Sequence, residues 1–419
     1  MNPEQPQNDG LVRYGPFTAG VNSRLPDEQL APDMLRHAVN CDLTDAGMLS
    51  RRDGYTLELS ATDAHSIYTD ASGVYFADGA LLKRYVPDTG AVTIVASGLT
   101  DGAGLAYLPL NGEIYYTNGF QRGKIVGGVR MDWGVEVPSG LPSLSIVGGV
   151  LESGRREVLC TFINAQGEES GSGLSTGITL TASGGILVSG IPQPVSSEIV
   201  RVNIYMTPHN GATLYLAAQL PVGTLSATIT SLQPSVELAS QFCAPPMPGK
   251  VLAYAGGRIY VASGPIVWYT EPGMYGRVKP SRNFIMFPSD VAIMAGVMDG
   301  LYVVADKTYF LSGLDPEQTT LREVLPYGAA FGSLAPVPVM ANTWTWRSDR
   351  GQVFASNGGQ MVNLQEDNLA LRPSSNGASV FIERDGSRQV ISVSEPPSIG
   401  SAEVGDFIEM EVRRKGAWS

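Results

Sequence analysis

Hydrophobic and polar positions along the chain follow one recurring short pattern: a polar turn closing on glycine, then alternating apolar and aromatic residues. It occurs as Asp70 to Gly73 before Val74, Tyr75 and Phe76, and as Asn111-Gly112 before Ile114, Tyr115 and Tyr116. Gly256-Gly257 precedes Ile259, Tyr260 and Val261, and Asp299-Gly300 precedes Leu301, Tyr302 and Val303. Asp349 to Gly351 precedes Val353 and Phe354, and a weaker copy at Asp385-Gly386 precedes Val390 and Ile391. Each copy reads as a hairpin turn feeding a strand. Asn-Gly and Asp-Gly supply the positive φ of two-residue turns, and aromatic side chains suit a pleated surface. Counted from Gly73, Gly112, Gly257, Gly300 and Gly351, the intervals are 39, 145, 43 and 51 residues. Repeats of about 40 to 50 residues match four-stranded propeller blades, which must stack around an axis because one blade cannot bury its own apolar face.

The long interval exceeds one blade period by about 100 residues, the size of an immunoglobulin-like or fibronectin-like sandwich. Within Ser143 to Glu237, strand-like runs at Val158 to Ile163, Ile178 to Thr181, Ile199 to Tyr205 and Leu225 to Ile229 are separated by Gly, Ser and Pro turns. The basic residues of this segment are Arg155, Arg156 and Arg201. Additional propeller with long loops is the alternative reading. The expected fold is therefore all-β, a β-propeller-like domain with an inserted immunoglobulin/fibronectin-like β-sandwich. The expected organisation is an N-terminal arm and short helix over 1–56, the first blades over 57–142, the insert over 143–240, and the remaining blades with a C-terminal strand over 241–419.

In the N-terminal stretch, Pro32 and Asp33 fit the first turn of a short helix running to about Ala38. Asn40, Asp42 and Asp45 to Gly47 mark turns, and Met48 to Arg52 leads through Asp53-Gly54 into another strand. At the other end, Phe407 to Ser419 alternates through Ile408, Met410 and Val412, then turns basic at Arg413, Arg414 and Lys415 before Trp418. That run reads as a closing strand whose end is either a solvated terminus or a docking tail with Trp418 as anchor.

Composition bears on partners. Of 419 residues 43% are hydrophobic and 16% charged, against a usual charged share of about 25%, which suggests surface hidden against other subunits. The 49 glycines and 28 prolines suit many short strands and tight turns. The start, MNPEQPQNDG, lacks the basic and apolar regions of a signal peptide, and no run of about 18 apolar residues occurs, so a soluble protein made in a cytoplasm is expected. Cys41, Cys160 and Cys243 lack paired spacing and read as buried free thiols. His37 and Cys41, four residues apart, have no second pair to complete a metal site. Net charge is −12, with basic residues mostly arginine, which disfavours gripping phosphate. An acidic wall suits DNA that must slide without sticking, although such acidity is equally ordinary solubility chemistry.

Catalytic signals are thin: there is no His-Glu-x-x-His pair, no phosphate-cradling glycine loop ending in Lys-Ser or Lys-Thr, and no zinc-type cysteine pairing. Trp268, Glu271, Asp290 and Asp299 could supply the aromatic platform and carboxylates of a glycosidase. Ser348-Asp349-Arg350-Gly351 is similar to the aspartate turn of sialidase blades, but Arg347 stands where that turn has serine, so a structural turn is expected.

The opening arrangement of Gly20-Val21-Asn22, Ala38-Val39-Asn40, Asp42-Leu43, Gly47 and Arg51-Arg52-Asp53-Gly54-Tyr55 resembles that of bacteriophage tail structural proteins. The chain as a whole resembles the nozzle (tail hub, tail tubular) proteins of short-tailed phages. The resemblance implies a propeller-like virion protein, made in the host cytoplasm, assembled as a six-fold ring below the portal and adaptor. Such a ring extends the DNA channel, passes genomic DNA without sequence-specific binding, and attaches tail fibres or a spike. It implies no enzyme activity, cofactor, metal or membrane insertion. Candidate subunit contacts are Arg51, Arg52, Arg413, Arg414, Lys415 and Trp418. Candidate lumen charges are Glu168, Glu169, Asp315 and Glu317, and Arg277, Lys279 and Arg282 beside Tyr275 form a basic patch for a subunit or nucleic acid. The alternative is a glycan-active or glycan-binding propeller of a phage or prophage.

Overall fold

A computed structural model describes residues 14–395, apart from 45, 53, 385 and 386, together with 408–413. The chain is all-β. Two compact units are present: Ala61–Val291, and the described parts of Met1–Ser60 with Ala292–Ser419.

The N-terminal segment contains β1 (Gly20–Val21), β2 (Met34–Leu35), β3 (Cys41–Leu43) and β4 (Leu49–Arg51). The expected helix at Pro32 is absent. β2 pairs in parallel with β1, and Gly15, Ala19 and Asn22 donate their N–H groups to the carbonyls of Pro32, Asp33 and Leu35. Seven residues form too few internal bonds to repay helix nucleation, so an extended neighbour wins the backbone groups. A 3-10 turn at Asp27–Gln29 and another at Asn357–Gly359 are the helical elements among the described residues. The β3–β4 hairpin turns at Gly47 as expected, whereas Asp42 lies within β3 rather than in a turn and residues 54–60 form no strand after Gly54.

In the unit Ala61–Val291, the first blade is β5 (Ala64–Asp70), β6 (Gly73–Asp78), β7 (Leu81–Val86) and β8 (Ala91–Ser97). The second is β9 (Ala106–Leu110), β10 (Glu113–Thr117), β11 (Arg122–Val126) and β12 (Val129–Met131). Then comes the insert: β13 (Ser143–Leu151), β14 (Gly154–Asn164), β15 (Thr176–Leu180), β16 (Gly184–Ser189), β17 (Ile199–Met206), β18 (Tyr215–Pro221) and β19 (Ser226–Ile229). These strands form two sheets, ordered β13-β16-β19 and β15-β14-β17-β18, over a shared core that includes Val158, Phe162, Ile186, Val188, Val202 and Ile204. The third blade follows as β20 (Val251–Ala255), β21 (Arg258–Ser263), β22 (Ile266–Tyr269) and β23 (Phe284–Met286).

The other unit holds a fourth blade, β24 (Ile293–Val297), β25 (Gly300–Val304), β26 (Thr308–Ser312) and β27 (Thr320–Leu325). A fifth comprises β28 (Ala335–Pro336), β29 (Trp344–Ser348), β30 (Gly351–Ser356) and β31 (Gln360–Asn363). The last sheet has three described strands, β32 (Gly377–Arg384), β33 (Ser387–Ser394) and β34 (Ile408–Arg413). The N-terminal segment is stapled here: Ser23 N donates to the Asn368 carbonyl at 2.9 Å, Arg24 Nε to the Leu369 carbonyl at 3.0 Å, and Ala370 N to Ser23 Oγ at 2.9 Å.

Five copies of the glycine-aromatic pattern are the second strand of their sheet, β6, β10, β21, β25 and β33, and the copy at Asp349 to Gly351 leads instead into the third strand of its sheet, β30. Strands flanked on both sides and covered on both faces read as near-continuous apolar runs, and β25 is buried along its whole length. The glycines do two different jobs. At Asn111-Gly112 both residues have positive φ (54° and 80°), as the expected two-residue hairpin requires. Gly300, by contrast, is already in the ladder opposite Val297, and the turn is Met298-Asp299. A Cβ on Gly300 would lie 2.3 Å from the Leu311 carbonyl and 2.7 Å from the Phe310 ring, so strand approach rather than dihedral freedom excludes other residues.

Hydrophobic faces are buried by the next sheet. Tyr75, Leu82, Ile114, Tyr116 and Ile125 join blades one and two, and Tyr115, Trp133, Leu252, Ile259 and Val261 join blades two and three. Tyr302, Phe310, Trp346 and Val353 join blades four and five. All three cysteines are free; Cys160 and Cys243 are buried as expected, whereas Cys41 on the small β3–β4 hairpin is only half-buried.

Replacing Gly300 with Ala is expected to destabilise the protein by about 1–3 kcal/mol through overpacking. Gly112→Ala, a dihedral penalty at an open turn, is expected to cost about 1 kcal/mol. Urea unfolding of both variants checks the order.

Candidate interaction surface

Within the unit Ala61–Val291 the insert is clamped to the blades by charged groups. Lys124 on β11 is 4% exposed, and its Nζ lies 3.1 Å from Glu113 Oε1 and 3.5 Å from Glu168 Oε1. Glu113 also accepts from the Tyr115 hydroxyl. Glu169 Oε1 accepts from Thr161 Oγ1 (2.7 Å), Tyr205 OH (2.8 Å) and Asn203 Nδ2 (3.0 Å), and its carbonyl takes Arg277 Nε at 2.8 Å. Burial, helped by the Glu169 carboxylate, pushes the Tyr205 hydroxyl well above its ordinary range, so it stays a donor. At the other corner, both oxygens of Glu198 accept Asp132 N at 3.0 Å, Ser196 Oγ donates to Asp132 Oδ2 at 2.7 Å, and Glu136 Oε1 accepts Val195 N at 2.6 Å. The Trp133 indole donates to the Tyr275 carbonyl at 2.7 Å. Glu168 and Glu169 are thus half-buried fasteners rather than free loop charges, because β14 and β17 bring three donors onto one carboxylate. Asp315 and Glu317 are exposed, and Asp315 Oδ1 accepts Glu317 N at 3.2 Å.

Most of the residues with catalytic potential are engaged in structural contacts. Trp268 is half-buried against Phe284 (ring centroids 5.6 Å apart). Glu271 accepts from Asn283 Nδ2 at 2.7 Å, with Arg282 at 3.5 Å and Lys279 at 3.9 Å, so two members of the basic patch already face a carboxylate and the third, Arg277, serves Glu169. Burial alone would raise the Glu271 carboxyl, but the Asn283 amide and the two cations outweigh it and hold it below the usual glutamate range. Asp290 and Asp299 are exposed, and Asp299 Oδ2 accepts Gly358 N at 2.7 Å. Ser348 Oγ donates to the Gly351 carbonyl at 2.7 Å inside the β29–β30 turn, while burial pushes the Asp349 carboxyl up. The spacing Gly173-Leu174-Ser175-Thr176-Gly177, shared with hydrolase nucleophile elbows, runs directly into β15 and lacks their strand-to-helix turn. Among the described residues no cluster of His, Cys, Asp and Glu is arranged to hold a metal ion.

Of the candidate subunit contacts, Arg51 is exposed and Arg52 Nε lies 3.0 Å from Asp42 Oδ1; with Asn40, Gly54 and Tyr55 they line a shallow open concavity. Arg413 is paired through its backbone in β34, opposite Gln389. Arg414, Lys415 and Trp418 lie outside the described residues.

The surface feature that the sequence reading missed is the sheet edges. Fourth strands end each blade, and several display large apolar side chains: Val92 and Ile94 on β8, Val129 on β12, Phe284 and Met286 on β23, Leu321 on β27 and Val362 on β31. Ile94 is 62% and Met286 64% exposed. β8, β23 and β31 carry no charged residue at all. Soluble proteins usually blunt such edges with lysine, proline or a bulge. The low charged fraction was the one signal of this in the sequence.

No protein-family model matches the chain, and no curated protein matches it in sequence. Among solved structures, a chain of BBS1N in complex with ARL6DN overlaps 86% of this chain and 95% of its own length, at 11% identity and a TM-score of 0.33. AztD from Citrobacter koseri overlaps 84% of this chain and 86% of its own, at 11% identity and a TM-score of 0.33. A chain of the mitotic checkpoint complex overlaps 87% and 83%, at 11% identity and a TM-score of 0.32. The fold described above rests on the sheets of this chain and not on these overlaps.

Lys124→Met leaves Glu113 and Glu168 without their cation and is expected to cost about 2 kcal/mol, read by urea unfolding. For Glu271 the folded-state value is depressed, so its contribution is full above the unfolded value and lost as pH falls through the folded one. Glu271→Gln is expected to be less stable than wild type by about 1 kcal/mol near neutral pH. The gap should close as the melts are repeated below about pH 4.

Proposed function

We propose that this chain is a structural protein of a phage tail, a nozzle or tail hub whose copies join into a ring around a channel for DNA. The observation that carries the reading is the set of uncharged, apolar sheet edges, β8, β23 and β31, which have no further ladder partner among the described residues and call for another β-surface. Three further features support it. Of the carboxylates that chemistry would need, Glu271 is held by Asn283, Arg282 and Lys279 and Asp299 accepts Gly358 N, while Lys124 and Arg277 reach Glu168 and the Glu169 carbonyl of the insert. A net charge of −12 keeps phosphates off a wall they must slide past. The opening segment, with β1 to β4 and Arg51 and Arg52, carries the resemblance to tail proteins.

In this reading the blades form a stiff wall and the function is mechanical. Six copies would close head to tail, since a heterologous contact closes only at a fixed rotation. Portal and adaptor proteins would stack on one side, and fibres or a spike would attach at the other.

Native mass measurement with negative-stain microscopy tests this. Rings with an open centre are expected, and because the joints are apolar they should persist in about 1 M salt, where ionic contacts are screened. A monomer at all concentrations, with no density for the protein in tails, would overturn the reading.

A further inference from the structure

We infer that the joint between neighbouring copies is made by the insert, through edge-to-edge extension of its three-stranded sheet, with β19 of one copy beside β13 of the next. The inference rests on the ring reading above and names the surface that closes it.

The sheet β13-β16-β19 ends on β13 at one side and on β19 at the other, and among the described residues neither has a ladder partner beyond it; the two strands meet only at one corner, where Val150 N donates to the Thr230 carbonyl at 3.2 Å. β13 lies within residues 137–151, β16 within 170–197 and β19 within 210–236, three stretches without a single Asp, Glu, Lys or Arg. Each free end also shows apolar side chains to solvent. Ile146 on β13 is 56% exposed and Val150 75%, while Leu225, which enters β19, is 64% exposed. Ile146 sits in the row of Ile186 and Ile229, and so points with the core residues, yet it is 56% exposed and among the described residues no strand pairs with β13 on its far side. A further strand placed there would bury it.

A second copy fits this edge better than an unrelated partner. A head-to-tail ring requires two different surfaces on one rigid body, and a single sheet with two open ends supplies them. β13 and β19 are both antiparallel to β16 and therefore run the same way. Rotation about an axis along the strands keeps that direction, so the new pair is a parallel ladder. Copies that each carry a net charge of −12 repel wherever their charges approach within a Debye length of about 10 Å, and on this sheet two copies can meet with no charge in any of the three strands or in the stretches that hold them. Of the blade edges, β12 holds Arg130 and β27 holds Arg322 and Glu323, which makes those two less suited. Rigidity comes from the clamp at Lys124, Glu169 and Arg277, which fixes the insert on its blades.

The test uses two exposed positions in one row, Ser145 and Thr228, which both lie opposite Leu187 on the side away from the core. Two double variants of the full chain are compared by native mass and negative-stain microscopy, with thermal melting to show that both fold. Ser145→Lys with Thr228→Lys places like charges across the joint and is expected to reduce the ring to monomers. Ser145→Lys with Thr228→Glu places opposite charges there and is expected to keep the ring. The same assembly state for both variants would sink the joint while leaving the ring intact, as would a wild-type species that is a closed dimer. A wild-type monomer would instead sink the ring reading, and the joint with it.

Discussion

An aromatic side chain on the second strand of a small sheet cannot be buried by that sheet, and most of this structure follows from that constraint. Tyr116, Tyr302 and Trp346 have strands on both sides and need a second sheet above them. Their burial is worth about 2 kcal/mol or more apiece, which no single blade can realise. Polar ends of aromatics at these seams add hydrogen bonds between blades, although the buried Trp346 indole N–H has no acceptor among the described residues. Tyr302 OH reaches the Gln360 carbonyl of the following blade at 3.1 Å, and Trp344 Nε1 reaches the Gly296 carbonyl of the preceding one at 2.7 Å. Trp133 does the same between the second and third blades through Tyr275. Sheet packing in each unit is therefore specified by hydrogen bonds as well as by area.

The insert obeys a second constraint. Its sandwich owns a closed core, so it needs nothing from the blades for burial, and its attachment is made of ions and hydrogen bonds instead. Half-buried Glu168 and Glu169, with Lys124 and Arg277 as counterparts, hold two independently packed bodies in one orientation. Such a joint is directional where an apolar one slides. A mechanical element that must present a defined edge to a neighbour needs that kind of fixity. The same commitment explains why carboxylates that look available in the sequence are spent in the structure.

What remains unspent lies at the sheet margins. β8, β13, β19, β23 and β31 carry backbone groups at their edges and no charge to deter a partner. In a monomer this composition is a liability, and in a subunit it is an interface. Low overall charge and bare edges are one property seen at two scales.

The period of the glycine-aromatic pattern was enough to determine the blades, because a second strand buried on both faces must be apolar throughout and its turn must be tight. The length of the central interval, with its Ser, Thr and Gly-rich strands, likewise determined that a sandwich interrupts them. Local propensity misjudged Pro32 to Ala38, where β1 competes for the same backbone groups and wins, and it assigned Gly300 to a turn when its role is to let Leu311 approach. Only tertiary structure decided the fate of the polar residues. Glu169 meets Asn203 and Tyr205, and Lys124 meets Glu168, across separations of 34, 36 and 44 residues, and no local pattern records them. Edges were equally invisible, since a strand's position in its sheet depends on partners the strand itself does not encode. Periodicity is a local property, whereas partnership is made by the fold.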